Sequence, residues 1–374
     1  MDLLPLLQAA RAAKASDLHL QAGQPAWARV DGALIRLSDG SLDGAAVAAA
    51  VDLLRAGANS AGDSCGGDDG GAGLGASDFA VDDARFGRLR VHLAHGLQGV
   101  AVAIRLIAPD VLTLAQLPAH PTLHELTKLR HGLMLFCGKA GSGKSTTLAA
   151  FVDHLNRHQA RHIVTLEDPI EHLHTPRQSL ISQRQVGTHT PNFASGLREA
   201  LRQDPDVIVV GELRDAETIA LALQAADTGH LVLATLHASR VPLAVNRVVD
   251  SFGDTARGFA MMQFADCLQA IVCQQLLPRL ANAALETDGE ADGEAAALDL
   301  AGRVPAFEIL VATAGVRNLI RENKSPQLHS LMQVGYDHGM ITMEDHLAQL
   351  RRAGIIAAEA SNGAVTQWSD GRAA

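Results

Sequence analysis

A glycine-rich segment carries the clearest chemical signal in the 374-residue sequence. Residues 138–145 read GKAGSGKS and match the pattern G-x-x-x-x-G-K-[ST]. Glycines let backbone N–H groups turn towards one point, where they bind phosphate oxygens together with the positive end of the following helix. Lys144 then neutralises the β- and γ-phosphates, and Ser145 offers a ligand for Mg²⁺. The alternative is a glycine-rich turn that merely contains lysine and serine.

The pattern therefore predicts a nucleotide site. The residues predicted to bind the nucleotide are Gly138, Lys139, Ala140, Gly141, Ser142, Gly143, Lys144, Ser145 and Thr146.

Acidic residues follow two apolar runs. The run DVIVVGE ends in Glu212, which is the candidate for polarising the attacking water, and HIVTLEDPIEH contains Glu167, Asp168 and Glu171. Open α/β sheets bind ligands at the carboxyl ends of their strands, where acids reach Mg²⁺ directly or through water, or orient the nucleophile. Two alternatives stay open: Glu212 caps the next helix, and Glu171 belongs to a solvated turn.

Two histidines flank a third apolar run, TGHLVLATLHAS. His230 precedes the predicted strand and His237 follows it. His237 lies on the predicted ligand edge, where it can form a hydrogen bond with the γ-phosphate. A satisfied core histidine is the competing interpretation. No third ligand at metal spacing accompanies the pair, so the sequence does not predict zinc.

Three arginines, Arg88, Arg90 and Arg105, lie on strand patterns far along the chain from the glycine loop. Surface arginines are usually only solvated, which is one interpretation. The other is that they stabilise charge during phosphoryl transfer, supplied by a neighbouring subunit.

The surrounding pattern predicts an α/β protein with two domains. Residues 1–108 contain short strand patterns and an alanine-rich helix and predict a small α+β domain. Three prolines place a linker at 109–123. Residues 124–355 alternate apolar strands with helices at 144–158, 192–203 and 216–227, which predicts a mainly parallel sheet. Within the last helix we expect an Asp215 cap and a stop at Gly229.

Three segments are expected to lie outside this framework. A glycine-rich stretch at 56–77 is predicted to be a surface loop, and an acidic stretch at 281–300 is predicted to interrupt a helical region. Residues 356–374 are expected to form a flexible tail.

Composition narrows the possible partners and the compartment. Aromatic residues make up 3% of the chain and the formal net charge is −10, so neither base stacking nor attraction to DNA, RNA or anionic lipid is favoured. Four scattered cysteines favour a reducing cytoplasm. No apolar run reaches the length of a membrane span, so we expect no direct membrane insertion.

Taken together, the segments ASDLHLQAGQPAWARVDG, GKAGSGKST, TLEDPIEH, SLISQRQVG, LREALRQDPDVIVVGELRD and TGHLVLATLHAS resemble the type IV pilus retraction ATPases, the PilT-like twitching-motility branch of the type II/IV secretion ATPases. The resemblance implies a PAS-like N-terminal domain, a RecA-like P-loop NTPase domain and a homo-hexamer that binds ATP and Mg²⁺. It also implies a cytoplasmic protein that associates peripherally with the inner membrane through a pilus platform protein. A paralogous pilus ATPase is a further expected partner.

The same resemblance assigns roles to individual residues. Glu212 falls in the Walker B motif, Glu167 in the aspartate box, and His230 and His237 in the histidine box. Arg90 and Arg105 match arginines that approach the nucleotide. LIRENKSPQL, residues 319–328, is similar to the family's C-terminal AIREGKTHQ motif, with Asn323 in place of glycine and Ser325 and Pro326 in place of Thr-His.

The resulting hypothesis is Mg-dependent ATP hydrolysis that drives pilus retraction. The alternatives are an accessory pilus ATPase paralogue that acts as a nucleotide-sensing scaffold and, ranked below it, a secretion-system ATPase. A ring motor that moves nucleic acid is a further rival, which the acidic balance of charge disfavours.

Overall fold

The computed structural model describes residues 3–30, 33–60, 77–83, 85–107, 111–280 and 302–358. The chain folds into two compact units. The first unit comprises Met1–Val111, Glu167–Leu173 and Arg184–Asn192, and the second comprises Leu112–Leu166, His174–Gln183 and Phe193–Ala374. Two short segments from the middle of the chain therefore group with the N-terminal region.

Parts of three predicted segments lie outside the described residues. These parts are residues 61–76 of the glycine-rich stretch, the acidic stretch 281–300 and residues 359–374 of the tail. Residues 56–60, which were expected to begin a loop, instead continue an alanine-rich helix. Alanine has the highest helix propensity, so the helix extends past the first glycine of that stretch.

An antiparallel sheet forms the first unit together with helices. The elements are α1 (Leu3–Ala12), β1 (Asp17–Gln21), β2 (Trp27–Val30), β3 (Ala33–Arg36), α2 (Gly44–Ser60), β4 (Ser77–Asp83), β5 (Gly87–Gly96) and β6 (Gly99–Leu106). The strand order is β3-β2-β1-β6-β5-β4. The α+β prediction is confirmed, although the sequence patterns missed α1 and β4.

Alternation along the strands gives this sheet one buried face. Leu18 and Leu20 of β1 are buried, whereas Asp17 and His19 between them are only partly covered. The buried face packs in one apolar cluster with side chains from α1 and α2. The opposite face therefore carries the polar residues of β1, β5 and β6.

The second unit is built on a mainly parallel sheet. Its elements are α3 (Thr122–Leu126), β7 (Gly132–Cys137), α4 (Lys144–His158), β8 (His162–Glu167), β9 (Leu180–Gln185), α5 (Phe193–Ala200), β10 (Val207–Val210), α6 (Ala216–Asp227), β11 (Leu231–Leu236), α7 (Val241–Asp250), α8 (Asp254–Cys267), β12 (Leu268–Pro278), β13 (Arg303–Val311), α9 (Ala314–Arg321), α10 (Leu328–Gln333) and α11 (Met343–Arg352). The last residue of β8 and the last two residues of β9 belong to the first unit.

Strand order in this sheet is β13-β12-β7-β11-β10-β8-β9. The pairs β7–β11, β11–β10, β10–β8 and β7–β12 are parallel, and β13 runs antiparallel to β12. Because the central strands β7, β10 and β11 are buried along their whole length, they read as continuous apolar runs. The predicted α/β class is confirmed.

Several local predictions are also confirmed. The helices at 144–158 and 216–227 have the expected bounds. Asp215 caps the second of them by accepting a hydrogen bond from the Thr218 amide at 2.8 Å, and Gly229 adopts φ +105° after its end. The helix expected at 192–203 is shorter, because Asp204 has a left-handed φ of +52° and Pro205 follows it.

One expectation about the C-terminal half is wrong. The acidic stretch does not interrupt a helical region, since the residues on either side of it form the antiparallel strands β12 and β13. The run IVCQQLL in β12 packs beside β7 in the sheet, where both faces are covered. Tertiary burial decides between strand and helix for such an apolar run. In the part of the chain that the structure describes, no helix has the length and apolar character needed to cross a membrane.

Candidate nucleotide-binding site

The glycine loop joins β7 to α4, as the motif requires. Gly138 follows the last strand residue, and its N–H donates to the Leu236 carbonyl of β11. A Cβ at Gly138 would lie 2.3 Å from Ser142 Oγ, so the chain turns closely enough there that only glycine fits. Gly143, at φ +85°, precedes the helix, and no described side chain caps that helix start. The first amides of α4 are therefore available to an anion.

Two polar groups in the loop fit a bound phosphate chain. Ser142 is 6% exposed, and its Oγ is buried without a hydrogen-bond partner among the described residues. Lys144 is 8% exposed, and its ammonium group donates to the carbonyls of Gly138 and Lys139 at 2.9 Å each. Phosphate oxygens can replace those carbonyls as acceptors. Ser145 is exposed in the first turn of the helix, which suits a ligand for Mg²⁺.

A buried glutamine on β12 supports the loop from behind. Gln274 is 6% exposed and accepts a hydrogen bond from Thr147 Oγ1 at 2.8 Å. A Cβ added at Gly143 would lie 2.7 Å from Gln274 Nε2. A Cβ added at Gly138 would lie 2.5 Å from the backbone oxygen of Gln274. The sequence patterns did not reveal this residue because its strand was not predicted.

Glu212 and His237 meet at the same edge of the sheet as the glycine loop. Their Oε1 and Nε2 atoms lie 3.2 Å apart, and the second carboxylate oxygen accepts from Arg214 Nε at 2.7 Å. Glu212 is 16% exposed. The turn after β10 is fixed to β11 by a hydrogen bond from the Leu213 amide to the Thr235 carbonyl at 3.0 Å. The structure thus brings together an acid, a histidine and the glycine loop.

An open cleft of about 840 Å³ lies beside this group. Its walls include Lys139 and Ala140 of the loop, His237, and Leu243, Asn246 and Arg247 of α7. Arg247 Nη1 donates to the His237 carbonyl at 3.1 Å, which links α7 to the end of β11. Within the described residues, no group of three or more histidine, cysteine, aspartate or glutamate side chains is arranged to hold a metal ion.

The remaining acid and histidine candidates occupy different positions. Glu167 ends β8, and its carbonyl accepts from the Val186 amide at 2.8 Å. His230 lies at the opposite end of β11 from His237, where Nδ1 contacts the Ala225 carbonyl at 3.0 Å and Thr228 Oγ1 at 3.2 Å. His230 therefore fits the interpretation of a histidine satisfied by the end of α6.

The arginine candidates are placed by strand register in the first unit. Arg90 and Arg105 are direct partners across β5 and β6. Arg90 contacts Glu171 at 3.4 Å and is 32% exposed. Arg105 contacts Asp17 at 3.0 Å and is 55% exposed. Glu171 is thus an ion-pair partner of an arginine.

Arg88 differs from these two arginines because it is 7% exposed. Its Nε donates to the Ile170 carbonyl and its Nη1 to Asp82, both at 2.6 Å. Buried guanidinium groups with several acceptors hold chain segments together. Arg88 therefore ties the Glu167–Leu173 segment to the antiparallel sheet inside the first unit.

The C-terminal motif packs against α7. Ser325 is 3% exposed, and its Oγ donates to Asn246 Oδ1 at 2.6 Å. Asn323, which replaces the glycine of the family motif, has a left-handed φ of +54°. Asparagine tolerates that conformation better than most residues, so the replacement keeps the backbone turn.

A parallel sheet with a glycine loop between β7 and α4, and an acid at the end of β10, defines a P-loop nucleotide-binding fold. The family model described as "Type II/IV secretion system protein" matches residues 77–360. The chain therefore belongs to the type II/IV secretion system protein family.

Individual relatives agree with this assignment. The type IV pilus retraction ATPase PilT of Pseudomonas aeruginosa is 36% identical over 360 residues, 96% of each chain. The uncharacterized protein YggR of Escherichia coli is 48% identical over 267 residues, 71% of this chain and 76% of YggR. A crystal structure of the pilus retraction motor PilT with bound ADP is similar at 34% identity and a TM-score of 0.77, covering 96% of this chain and 95% of that one. The resemblance to the retraction ATPases is confirmed.

Proposed function

We propose that this protein is a Mg-dependent ATPase that works as a hexameric ring motor for type IV pilus retraction and twitching motility. The observation that carries the proposal is the shared sheet edge at which the glycine loop, Glu212 and His237 meet. The similar PilT of Pseudomonas aeruginosa is named a retraction ATPase, and the similar PilT crystal structure contains ADP. Those names support ATP as the substrate and the type IV pilus as the structure on which the protein acts.

The loop and its helix bind the nucleotide. Amides of residues 138–146 and the Lys144 ammonium bind the phosphates, and the buried Ser142 hydroxyl gains a partner. Ser145 would hold Mg²⁺, and Glu167 and Glu212 would reach the ion through water. When bound, Mg²⁺ neutralises charge on the β- and γ-phosphates.

Glu212 polarises the attacking water. Arg214 and His237 contact its two oxygens, so the carboxylate is held in one orientation at the strand end. An orienting carboxylate contributes by fixing the nucleophile before the reaction rather than by changing the phosphate. His237 lines the same cleft, which supports its proposed hydrogen bond to the γ-phosphate. Arg90 and Arg105, supplied by a neighbouring subunit, stabilise the transferred charge.

The proposed partners and location rest on the resemblance to the pilus ATPases. The protein acts in the cytoplasm as a homo-hexamer and reaches the inner membrane through a pilus platform protein. A paralogous pilus ATPase is a further partner, as the similarity to the type IV pilus ATPase PilU of Pseudomonas aeruginosa suggests. Nucleic acid is not a partner in this proposal.

Deleting the gene in its source strain and measuring twitching tests the cellular part of the proposal. We expect twitching to be lost while surface pili accumulate, and the wild-type gene but not its Lys144→Ala variant to restore motility. A deletion strain that twitches normally would contradict the retraction motor. If twitching failed only when a second pilus ATPase was also impaired, the accessory role would replace it.

A further inference from the structure

An acidic side chain that the proposed function does not use is buried in the second unit. Glu308 lies in the middle of β13 and is 2% exposed, with buried apolar residues on both sides of it in the strand. A carboxyl group in such surroundings is costly unless it is hydrogen-bonded. The hydrogen-bond donor to Glu308 therefore indicates why an acid occupies this position.

The partner is the first amide of α7. Glu308 Oε1 accepts a hydrogen bond from the Val241 N–H at 2.7 Å. Arg240, the residue before the helix, provides no side-chain cap, so Glu308 performs that task from a distant strand. A carboxylate at a helix start also interacts favourably with the helix dipole. One side chain thus fixes where α7 begins.

The position of α7 matters because this helix borders the cleft. Leu243, Asn246 and Arg247 line it, and Arg247 holds the carbonyl of His237. Only three residues separate His237 from Val241. A shift at the start of α7 would therefore move both the segment that carries His237 and the side of the cleft that α7 forms.

Burial makes the charge of this acid sensitive to pH near neutrality. Burial raises the pKa of Glu308 to about 7; the Val241 hydrogen bond lowers it, Glu344 of α11 raises it, and Arg240 lowers it. Cys273 of β12 also faces the carboxyl group, and burial raises the pKa of that thiol well above its usual value. Glu308 therefore changes charge near neutral pH.

We propose that Glu308 is a positioning residue for the nucleotide cleft, which sets the start of α7 and, through Arg247, the position of His237. The inference rests on the proposed ATPase function. The ionised carboxylate is the stronger acceptor and the better partner for the helix dipole, so the cleft is best ordered when Glu308 is ionised.

The test compares Glu308→Ala and Glu308→Gln in the full-length protein. Alanine removes the acceptor, whereas glutamine keeps an acceptor oxygen but cannot ionise. Ile309→Val is the matched control. It shortens the fully buried neighbouring side chain in the same strand, and that apolar side chain cannot accept the hydrogen bond from α7 that Glu308 accepts. The first readout is hydrogen–deuterium exchange over residues 238–250, which needs no catalysis. We expect faster exchange there for alanine alone, and unchanged exchange would overturn the proposal.

The second readout is steady-state hydrolysis. Displacing a group that orients a reactant by about 1 Å costs up to about 100-fold in rate, and we expect Glu308→Ala to lower kcat roughly tenfold while KM for ATP changes less than about twofold. Glutamine should restore most of that loss at pH 6. A kcat of wild-type size for alanine, or equal losses for Glu308→Ala and Ile309→Val, would overturn the positioning role.

The pH dependence separates positioning from simple structural support. Since ionised Glu308 holds the start of α7 and hence the cleft in order, the wild-type kcat should rise between pH 6 and 8 more than the kcat of Glu308→Gln. The free energy of unfolding should change in the opposite direction. Because folding raises the pKa of this carboxyl group from 4.5 to about 7, its contribution to stability is full below pH 4.5 and is lost as the pH rises through about 7. The wild-type Tm should therefore fall relative to Glu308→Gln over this range. Parallel kcat profiles would contradict the proposal.

Failure of the proposed ATPase function can be distinguished from failure of the Glu308 proposal. If the wild-type protein bound but did not hydrolyse ATP, the proposed function would fail, while exchange over residues 238–250 would still decide whether Glu308 positions α7.

Discussion

The glycine-loop edge of the parallel sheet and the face of the antiparallel sheet that carries Arg90 and Arg105 position their charged side chains in different ways. At the loop edge, Lys144 and Glu212 are positioned by strand ends, and each follows a strand that is buried along its whole length. On the other sheet, Arg90 and Arg105 meet only through strand register, and both are partly exposed. Strand ends fix the first pair firmly, whereas the second pair stays free to exchange partners.

The difference has a chemical consequence. Lys144 is already held in the loop by two carbonyl acceptors, which phosphate oxygens can replace without any carboxylate being displaced. Arg90 and Arg105 each contact a carboxylate that a nucleotide on a neighbouring subunit would have to displace. Ion pairs that remain accessible to solvent stabilise a protein by about 1 kcal/mol or less, and both of these pairs are partly exposed, so exchanging the carboxylate for a phosphate costs little. We therefore expect the arginines to affect catalysis and not folding.

The largest expected effect tests that expectation. Arg90→Ala should lower kcat by about 10³-fold with little change in Tm, because an arginine that stabilises transferred charge is worth at least that much in rate. Steady-state hydrolysis and thermal unfolding on the same samples measure the two quantities.

Arg88→Ala provides the contrast within the same strand. Arg88 is buried and holds the Ile170 carbonyl, so its loss should cost about 2 kcal/mol of unfolding free energy. If Arg90→Ala lost stability and kept its kcat, the comparison between the two sheets would be wrong.

The next effect concerns binding. Lys144→Ala should weaken ATP binding about 100-fold, because it removes charge-assisted contacts to the phosphates. Isothermal titration with a non-hydrolysable ATP analogue and Mg²⁺ measures the affinity. Lys128→Ala is the control, since that lysine is 71% exposed and paired with Glu125. Equal affinities for the two variants would refute the assignment of the loop.

The smallest effect concerns the helix that follows Glu212. Asp215→Ala should lower the free energy of unfolding by about 1 kcal/mol, because the side chain caps α6 through the Thr218 amide. Chemical denaturation measures the change. Glu217→Ala in the same turn, where the side chain is 60% exposed, should change stability by less than about 0.5 kcal/mol. A larger loss for Glu217→Ala would mean that the cap is not what orders this helix.

The two regions also differed in how far the sequence predicted them. The bounds of α4 and α6 and the cap at Asp215 were predicted because each depends on a few neighbouring residues. The same holds for the placing of Glu212 and His237 at strand ends, since parallel strands share one ligand edge.

Residues that act across long chain distances were not predicted. Gln274 supports the loop and Glu308 caps α7 only because β12 pairs with β7 and β13 pairs with β12, and no local pattern specifies these pairings. The pairing of Arg105 with Asp17 likewise depends on the register of β1 and β6, and that of Arg90 with Glu171 depends on a segment more than 80 residues further along the chain. The sequence signal for Glu308 was a single acid within the apolar run VPAFEILV.

Single-turnover hydrolysis of Mg-ATP by Glu212→Gln tests the central claim most directly. Glutamine keeps the size of the side chain but cannot polarise the attacking water as a carboxylate does. We predict that the variant binds ATP as tightly as the wild type while its rate of cleavage falls by about 100-fold or more. Cleavage at the wild-type rate would show that Glu212 does not activate the nucleophile and would contradict the account.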